Sequence, residues 1–529
     1  MTVSQSLTRR VSCLLHPAIT GETLQASAAE LKTYYAMLLI VFFIILVPIW
    51  MVKYPGMVDY PNHLTRCYIL SHYHDNPVFQ QRYILDHSPI PNLAIDLIVT
   101  PLLRILPLIV TGKIFLSIAA ALYVFGCSAV GRAVTGKPNW LALVCAFTFY
   151  NSPLLFGFVN YVFGVGVFLC VFAFWLQVRN AMTPLRFFLC CLLSIAAFLA
   201  HLSAIVILGV ACVTIALLDF VRDRRISSLI VKLIWLGCPL LLMVGFMKSS
   251  GQVGSIAWRP LTGKLLSLLA PVRSYSLMMD LGVAVVLLFC ALLLLKKSKV
   301  HSAVAVTGLV FFILYAATPY ALFTASGVDL RYVVPGFLLL ALSIEPRCGP
   351  WQKAAVAVAL AAMVIHTGRI TANWLNISHR SEQVLAMGLY LPAGARIYAI
   401  ESENGLSTKQ LDSGFVHIIE FWTISHSADI STLFAFPGQQ PLIFRQPPCD
   451  GSERANPAWK QCLASFDYIW TSDPPTLLRQ EILHIATPVS VLEKVTLWRV
   501  NRTSVTSTAS SMYSTTPPSE RRLDIAKAY

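Results

Sequence analysis

Residues 34–66 read YYAMLLIVFFIILVPIWMVKYPGMVDYPNHLTR. The first part, 34–52, is an unbroken apolar run long enough to cross a hydrocarbon core of about 30 Å. It has no small-residue cleavage site, so it reads as an uncleaved first span. The chain then turns polar, and Asp59 follows the span by only a few residues. Pro61 suits the first turn of a new helix, with Asp59 at or just before its N-cap. On such a helix Asp59, His63 and Arg66 stand at i, i+4 and i+7 and share one face.

The rest of the chain repeats the apolar theme. Of its 529 residues, 56% are hydrophobic and only 12% are charged, whereas a soluble protein carries about 25% charged residues. Mean hydropathy is +0.67. This composition excludes a cytosolic enzyme, a disordered chain and a small disulfide scaffold. The net charge of +15 falls mostly in short loops between apolar segments. It reads there as a topology signal, and no nucleic-acid partner is expected.

Eleven spans are expected, near 34–52, 113–131, 138–151, 156–178, 187–200, 202–219, 229–247, 277–295, 302–322, 331–345 and 354–372. Arg132 and Lys137, Arg179 and Arg186, Arg222, Arg224, Arg225 and Lys232, Lys296, Lys297 and Lys299, and Arg347 and Lys353 occupy alternate short loops. Those loops and the N-terminal segment 1–33 are expected in the cytoplasm. A twelfth span at 93–110 would reverse two of these loops and bury Asp96 and Arg104 in lipid. Residues 92–108 read instead as an amphipathic helix in the outer interface. The expected fold is thus an all-α polytopic membrane bundle over 34–372, with an outer loop at 53–111. A small α/β domain over 373–500 is expected outside the membrane, with strands at 395–400, 466–470 and 495–500 and a helix at 476–485. The Ser/Thr-rich end, 501–529, reads as a disordered tail.

Most of the thirteen cysteines lie in apolar runs and read as small apolar residues. Cys449 and Cys462 flank a polar loop and are disulfide candidates if their compartment is oxidising; spacing alone leaves their connectivity open. No CxxC pair or HExxH motif marks a metal site. No cofactor is assigned, and a divalent cation stays open.

Asp59 is the candidate base, since a carboxylate at a helix N-terminus stays ionised and can accept a hydroxyl proton. Simple helix capping is the competing reading of the same residue. Asn62, His63 and Arg66 are candidate binding residues on the same turn. Other polar residues gather at the turns of the same face: Asn151, Asn160 and Tyr161, His201 in the hairpin AAFLAHLSA, Arg259 and Arg273 around the loop 248–276, and Asp329 and Arg331. Arginine there can hold a lipid phosphate bidentately or simply snorkel at a span end. His201 can orient a ligand or bond the hairpin backbone. Trp422, Trp470 and Trp498 can stack on sugars or fill a core.

This layout resembles the GT-C superfamily of membrane glycosyltransferases, which includes the protein O-mannosyltransferases and the lipid A aminoarabinose transferases. The resemblance covers about 34–345. It rests on Asp59 soon after the first span, PIPNLAIDLIVTPLLRILPL at 89–108, LYVFGCSAVGRAVTGK at 122–137, FYNSPLLFGF at 149–158, AAFLAHLSA, and DLRYVVPGFLLLAL at 329–342. The family often pairs acids in the first loop and places one in the second outer loop. Here Tyr60 stands beside Asp59, and 151–161 holds no acid.

The resemblance implies transfer of a hexosyl or pentosyl group from a polyprenyl-phosphate donor to a glycan, lipid or protein acceptor at the outer membrane face. Asp59 would be the base. Arg331 would lead the phosphate contacts, with Arg259, Arg273 and Arg66 behind it, and His63, His201 and Asp329 nearby. With one carboxylate in view, single displacement with inversion is expected. The setting reads as a bacterial inner membrane, with the C-terminal domain in the periplasm. A surface-polysaccharide polymerase or ligase, a lipid or solute transporter, and a catalytically silent membrane protein are the rival readings. Weighing against transport, no internal repeat is evident and the spans are nearly free of charge.

Overall fold

The computed structural model describes residues 27–501, apart from 89, 250–254, 297, 324, 347–348, 401–416, 447–462, 464 and 475. Cys449, Cys462, most of the N-terminal segment and the tail therefore lie outside the described residues. Helices α1 (Ala28–Met51), α2 (Tyr60–His72), α3 (Pro77–Arg82), α4 (Ala94–Leu102), α5 (Leu108–Thr135), α6 (Leu141–Ala146), α7 (Ser152–Leu155) and α8 (Val159–Val178) come first. They are followed by α9 (Pro184–Ala200), α10 (Leu202–Asp223), α11 (Ile226–Leu233), α12 (Gly237–Ser249), α13 (Leu261–Ser267), α14 (Leu277–Leu295), α15 (Ser302–Ala317), α16 (Leu330–Leu342) and α17 (Pro350–Ala386).

Six helical stretches among the described residues are long and apolar enough to cross a membrane: α1, α5, α8, α10, α14 and Pro350–Tyr390. Five shorter apolar stretches, Leu141–Leu155, Pro184–Ala200, Ile226–Leu242, Ser302–Ala317 and Leu330–Leu342, fall on the other five expected spans. Two of the expected spans are broken. Asn151 caps α7 by accepting from the Leu154 amide, and Pro153 opens it, which separates α7 from α6. Helix α8 is largely enclosed by its neighbours, whereas α14 turns Met278, Val285, Leu288, Phe289 and Leu292 outward, as expected of a lipid-facing helix. Small residues let helices meet closely: a Cβ at Gly126 of α5 would lie 2.7 Å from the Cβ of Leu169 on α8.

The apolar helices alternate between two ends. At one end Tyr34 donates to Ser128 (2.9 Å), Arg132 donates to Tyr35 (2.8 Å), and Lys137 pairs with Glu345 (2.8 Å). Arg179 and Lys232 share Asp219 there, at 3.7 and 2.7 Å. A short antiparallel bridge of β3 (Lys299–Val300) and β5 (Ile344–Glu345) closes that end. These are the basic loops expected on one side. At the other end the Leu93 amide donates to Leu199 (2.8 Å), Leu202 to the Asn92 side chain (3.0 Å), Ile95 to Asn160 (2.8 Å), and Ser152 to Ala270 (2.9 Å). Strands β2 (Ser255–Ala257) and β4 (Ala321–Phe323) pair antiparallel.

The expected interfacial helix over 92–108 is shortened. Helix α4 ends at Leu102, with Pro101 in its last turn, and Pro107 is the N-cap of α5. Helix α5 thereby starts at Leu108, earlier than expected. In the same outer loop β1 (Tyr83–Leu85) pairs antiparallel with β8 (Leu442–Phe444) over a cluster of Ile69, Phe79, Leu433 and Ala435.

The chain divides into two compact units. The first takes in the described residues up to Glu382 with those of 404–421 and 433–445; the rest form the second. The second unit holds β6 (Arg396–Ile400), α18 (Trp422–His426), β7 (Asp429–Ile430), β9 (Tyr468–Ser472), α19 (Thr476–Ile485), β10 (Ala486–Leu492) and β11 (Val495–Val500). The sheet order is β10-β11-β9-β6-β7. Strand β6 runs parallel to β7 and β9, and β11 runs antiparallel to β9 and β10. Trp422, Trp470 and Trp498 are buried in this unit. Trp422 meets Trp470 edge-on at 5.5 Å and Trp498 donates to Thr471 at 3.0 Å. The option of stacking on sugars is therefore corrected: their ring faces are used up by packing.

Candidate functional site

Asp59 is placed by its backbone. Past α1 the chain is tied to the segment before α14 and to α17: the Tyr275 hydroxyl donates to the Gly56 carbonyl (2.8 Å), and Trp374 donates to that hydroxyl (2.7 Å). The Val58 and Asp59 amides then donate to the Leu155 and Phe156 carbonyls, both at 3.1 Å. Gly157 closes this turn at φ +91°, and a Cβ there would fall 2.5 Å from the Asp59 nitrogen. Only glycine fits that combination of dihedral and contact.

Asp59 heads α2, yet its side chain makes no capping hydrogen bond. The capping alternative therefore does not describe it. Its Oδ1 lies 3.6 Å from Nε2 of His417, and its side chain is 16% exposed. His417 also holds Nδ1 3.3 Å from the Asn62 amide nitrogen and 3.8 Å from Glu420 Oε1. Phe434 packs edge-on against both His63 (5.5 Å) and His417 (5.3 Å). Burial, then the nearby Arg66 and His417, push His63 well below the usual histidine range, so it is neutral. Asn62 has no exposed surface, and its oxygen accepts from the Phe434 amide at 2.6 Å. It is thus a structural link, contrary to the expectation that it contacts substrate.

The arginines divide sharply. Arg66, expected beside Asp59 and His63, turns inward and makes a bidentate pair with Asp96 of α4, both bonds 2.8 Å, with no side-chain exposure. One face of a helix is wide enough for i+7 to diverge from i when a buried acid draws it. Asp329 is a buried counter-ion: its carboxylate lies 3.2 Å from Arg259 and 3.1 Å from Lys264, and it accepts from the Leu330 amide. It is therefore closed to substrate, and Arg259 is already partnered. Arg273 is likewise paired with Asp280 (3.1 Å), which also accepts from Ser274.

Arg331 differs. Its NH groups reach the Ser203 hydroxyl (3.3 Å) and the Ser326 carbonyl (3.4 Å). Its Nε is buried without a partner, and no carboxylate among the described residues pairs with it. The guanidinium lies 5.9 Å from the ring centroid of Phe158, the residue after Gly157. The acid and the unneutralised cation thus flank one turn. His201, between α9 and α10, lies within electrostatic range of both Arg331 and His63. Its Nδ1 accepts from the Ser203 amide at 3.0 Å, so it caps α10 as the backbone alternative holds. Its ring meets Tyr161 edge-on at 5.8 Å.

Sequence reasoning missed His417 and Glu420, which no local pattern marks. Asn62 and His417 are 355 positions apart. Asp280 did carry a signal, as a lone acid in the apolar run LMMDLGVAV, which calls for a buried partner. Among the described residues no group of three or more His, Cys, Asp and Glu side chains is arranged for a metal. Asp59 and Glu420 face different nitrogens of one ring and do not converge.

No protein-family model matches the chain, and no curated protein matches it. Among solved structures, it is similar to the crystal structure of ArnT from Cupriavidus metallidurans in the apo state. The TM-score is 0.50 at 11% sequence identity, over 90% of this chain and 99% of that one. At that identity the likeness is one of fold: the chain shares the overall fold of that structure, and its long apolar helices mark it as an integral membrane protein.

Proposed function

We propose that the protein is a membrane glycosyltransferase that moves a sugar from a polyprenyl-phosphate donor to a hydroxyl acceptor at the outer membrane face. The observation that carries this reading is that Asp59 packs against Gly157 while Arg331, which has no carboxylate partner among the described residues, lies by Phe158, the next residue of the same turn. Asp59 takes the acceptor proton as the acceptor oxygen bonds the anomeric carbon. The bond from that carbon to the phosphate oxygen breaks, and Arg331 stabilises the departing phosphate. Glu420 has no side-chain exposure, so of the two carboxylates described beside His417 it is Asp59 that an acceptor can reach. Single displacement with inversion follows. The GT-C-like fold supports the class of reaction. The donor sugar and the acceptor, whether glycan, lipid or protein, are set by groups beyond this pair.

The test uses the full chain in nanodiscs with short-chain polyprenyl-phosphate sugars labelled in the sugar, mannosyl and aminoarabinosyl among them. Asp59→Asn should lower kcat by about 10²–10⁴-fold, and Arg331→Gln by about 10²–10³-fold. Transfer by Asp59→Asn at the wild-type rate would remove the mechanism.

A further inference from the structure

Asn62 and His417 are not absorbed by the mechanism, although both touch the Asp59 turn. Two separate contacts orient them. The Phe434 amide can only donate, so at 2.6 Å it must face the Asn62 carbonyl oxygen. That leaves the Asn62 NH₂ toward His417 Nδ1, at 3.3 Å. An NH₂ is a donor, so Nδ1 must accept and carries no proton. Glu420 Oε1 favours a proton on the same nitrogen, but at 3.8 Å it lies beyond hydrogen-bond range. The closer amide decides. The ring proton then sits on Nε2, the nitrogen that faces Asp59 Oδ1. At 3.6 Å this is a contact that a small side-chain adjustment turns into a hydrogen bond, as such pairs tighten with substrate bound.

Resting on the base role proposed for Asp59, we infer that Asn62 and His417 are positioning residues: the Phe434 amide fixes the Asn62 carboxamide, that carboxamide fixes the His417 tautomer, and the resulting Nε2–H aims the Asp59 carboxylate. This inverts the usual order in which an acid orients a histidine base. Oδ1 faces the imidazole, and the carboxylate so aimed takes the proton of the acceptor hydroxyl. Among the described residues, the charged and titratable groups around His417 include Asp59 and His63 from the outer loop and Glu420 from its own segment, and Asn62 and Phe434 are neutral neighbours.

The experiment combines kinetics with histidine ¹⁵N spectra of the full chain in nanodiscs, using the labelled donors above. The His417 signal is assigned by its loss in His417→Gln. The wild type should show the neutral Nε2–H form, and Asn62→Asp, which sets a carboxylate against Nδ1, should switch it to Nδ1–H. His417→Leu and Asn62→Asp should each lower kcat at least about 30-fold, with donor KM within about threefold. His417→Gln, whose amide N–H reaches the place of Nε2–H, should return to within about fivefold of wild type. An Nδ1–H signal in the wild type, or unchanged kcat in His417→Leu, would overturn the inference. If His417→Leu does not fold, the wild-type tautomer alone decides. Loss of transfer in Asp59→Asn alongside an active His417→Leu defeats only the positioning roles. An active Asp59→Asn defeats the base reading itself.

Discussion

Four arginines looked alike in the sequence, each close to an apolar run on the same face. What separates them is whether an acid has reached them. Arg66 is taken by Asp96, Arg259 by Asp329 and Arg273 by Asp280, whereas among the described residues Arg331 meets a hydroxyl, a carbonyl and the Phe158 ring and pairs with no carboxylate. A guanidinium with its charge already answered has little left to offer an anion. The same scale governs Asp59, whose place depends on a single missing side chain. Gly157→Ala would force a methyl against the Asp59 backbone at a φ that alanine avoids. Steady-state assays should show kcat lowered by about 10²-fold, with donor KM retained, because a displacement near 1 Å is enough. Wild-type turnover in Gly157→Ala would mean that the position of Asp59 does not matter.

At the scale of elements, the outer loop is held by α2 packed on α4 through one buried ion pair. Its two bonds satisfy both carboxylate oxygens, and neither side chain meets water to any extent. Removing one partner strands a buried charge. Arg66→Met alone should cost about 3–5 kcal/mol, while Arg66→Met with Asp96→Leu should come back near the wild type. Thermal unfolding of the two variants in detergent distinguishes these outcomes, and equal losses would show that the pair does more than neutralise itself. The breaks between elements matter as much as their packing. The Asn151–Pro153 start of α7 was legible as a turn signal, and it sets up the hairpin that carries Gly157. His201 likewise divides α9 from α10.

For the whole molecule, the alternation of basic loops proves consistent with contacts that no window of sequence contains. Loops around 132–139, 299–301 and 344–345 meet at one end, and the Asp59 turn, the 201 hairpin and Arg331 lie at the other. If the basic end lies in the cytoplasm, as the proposed outer-face reaction requires, a reporter fused after Tyr529 should lie outside. An alkaline phosphatase fusion there should be active and a green fluorescent protein fusion dark in a bacterial host. The reverse pattern would put the candidate site on the cytoplasmic face and remove the outer-face reading.

Composition and apolar period alone determined that the chain is a polytopic helical membrane protein, which apolar segments it contains, and which loops share a side. These follow from transfer free energies summed along contiguous residues, a property that needs no partner. The strands at 396–400 and 495–500 and the helix at 476–485 were legible for a different local reason, short strand-like runs bounded by turn residues. Tertiary structure alone decided which charges remain for chemistry. Neutralisation of Arg66, Arg259 and Arg273, the seating of Asp59 against Gly157, and the arrival of His417 beside it are contacts between distant segments. Their energies depend on distances in space, and spacing along the chain carries no record of them.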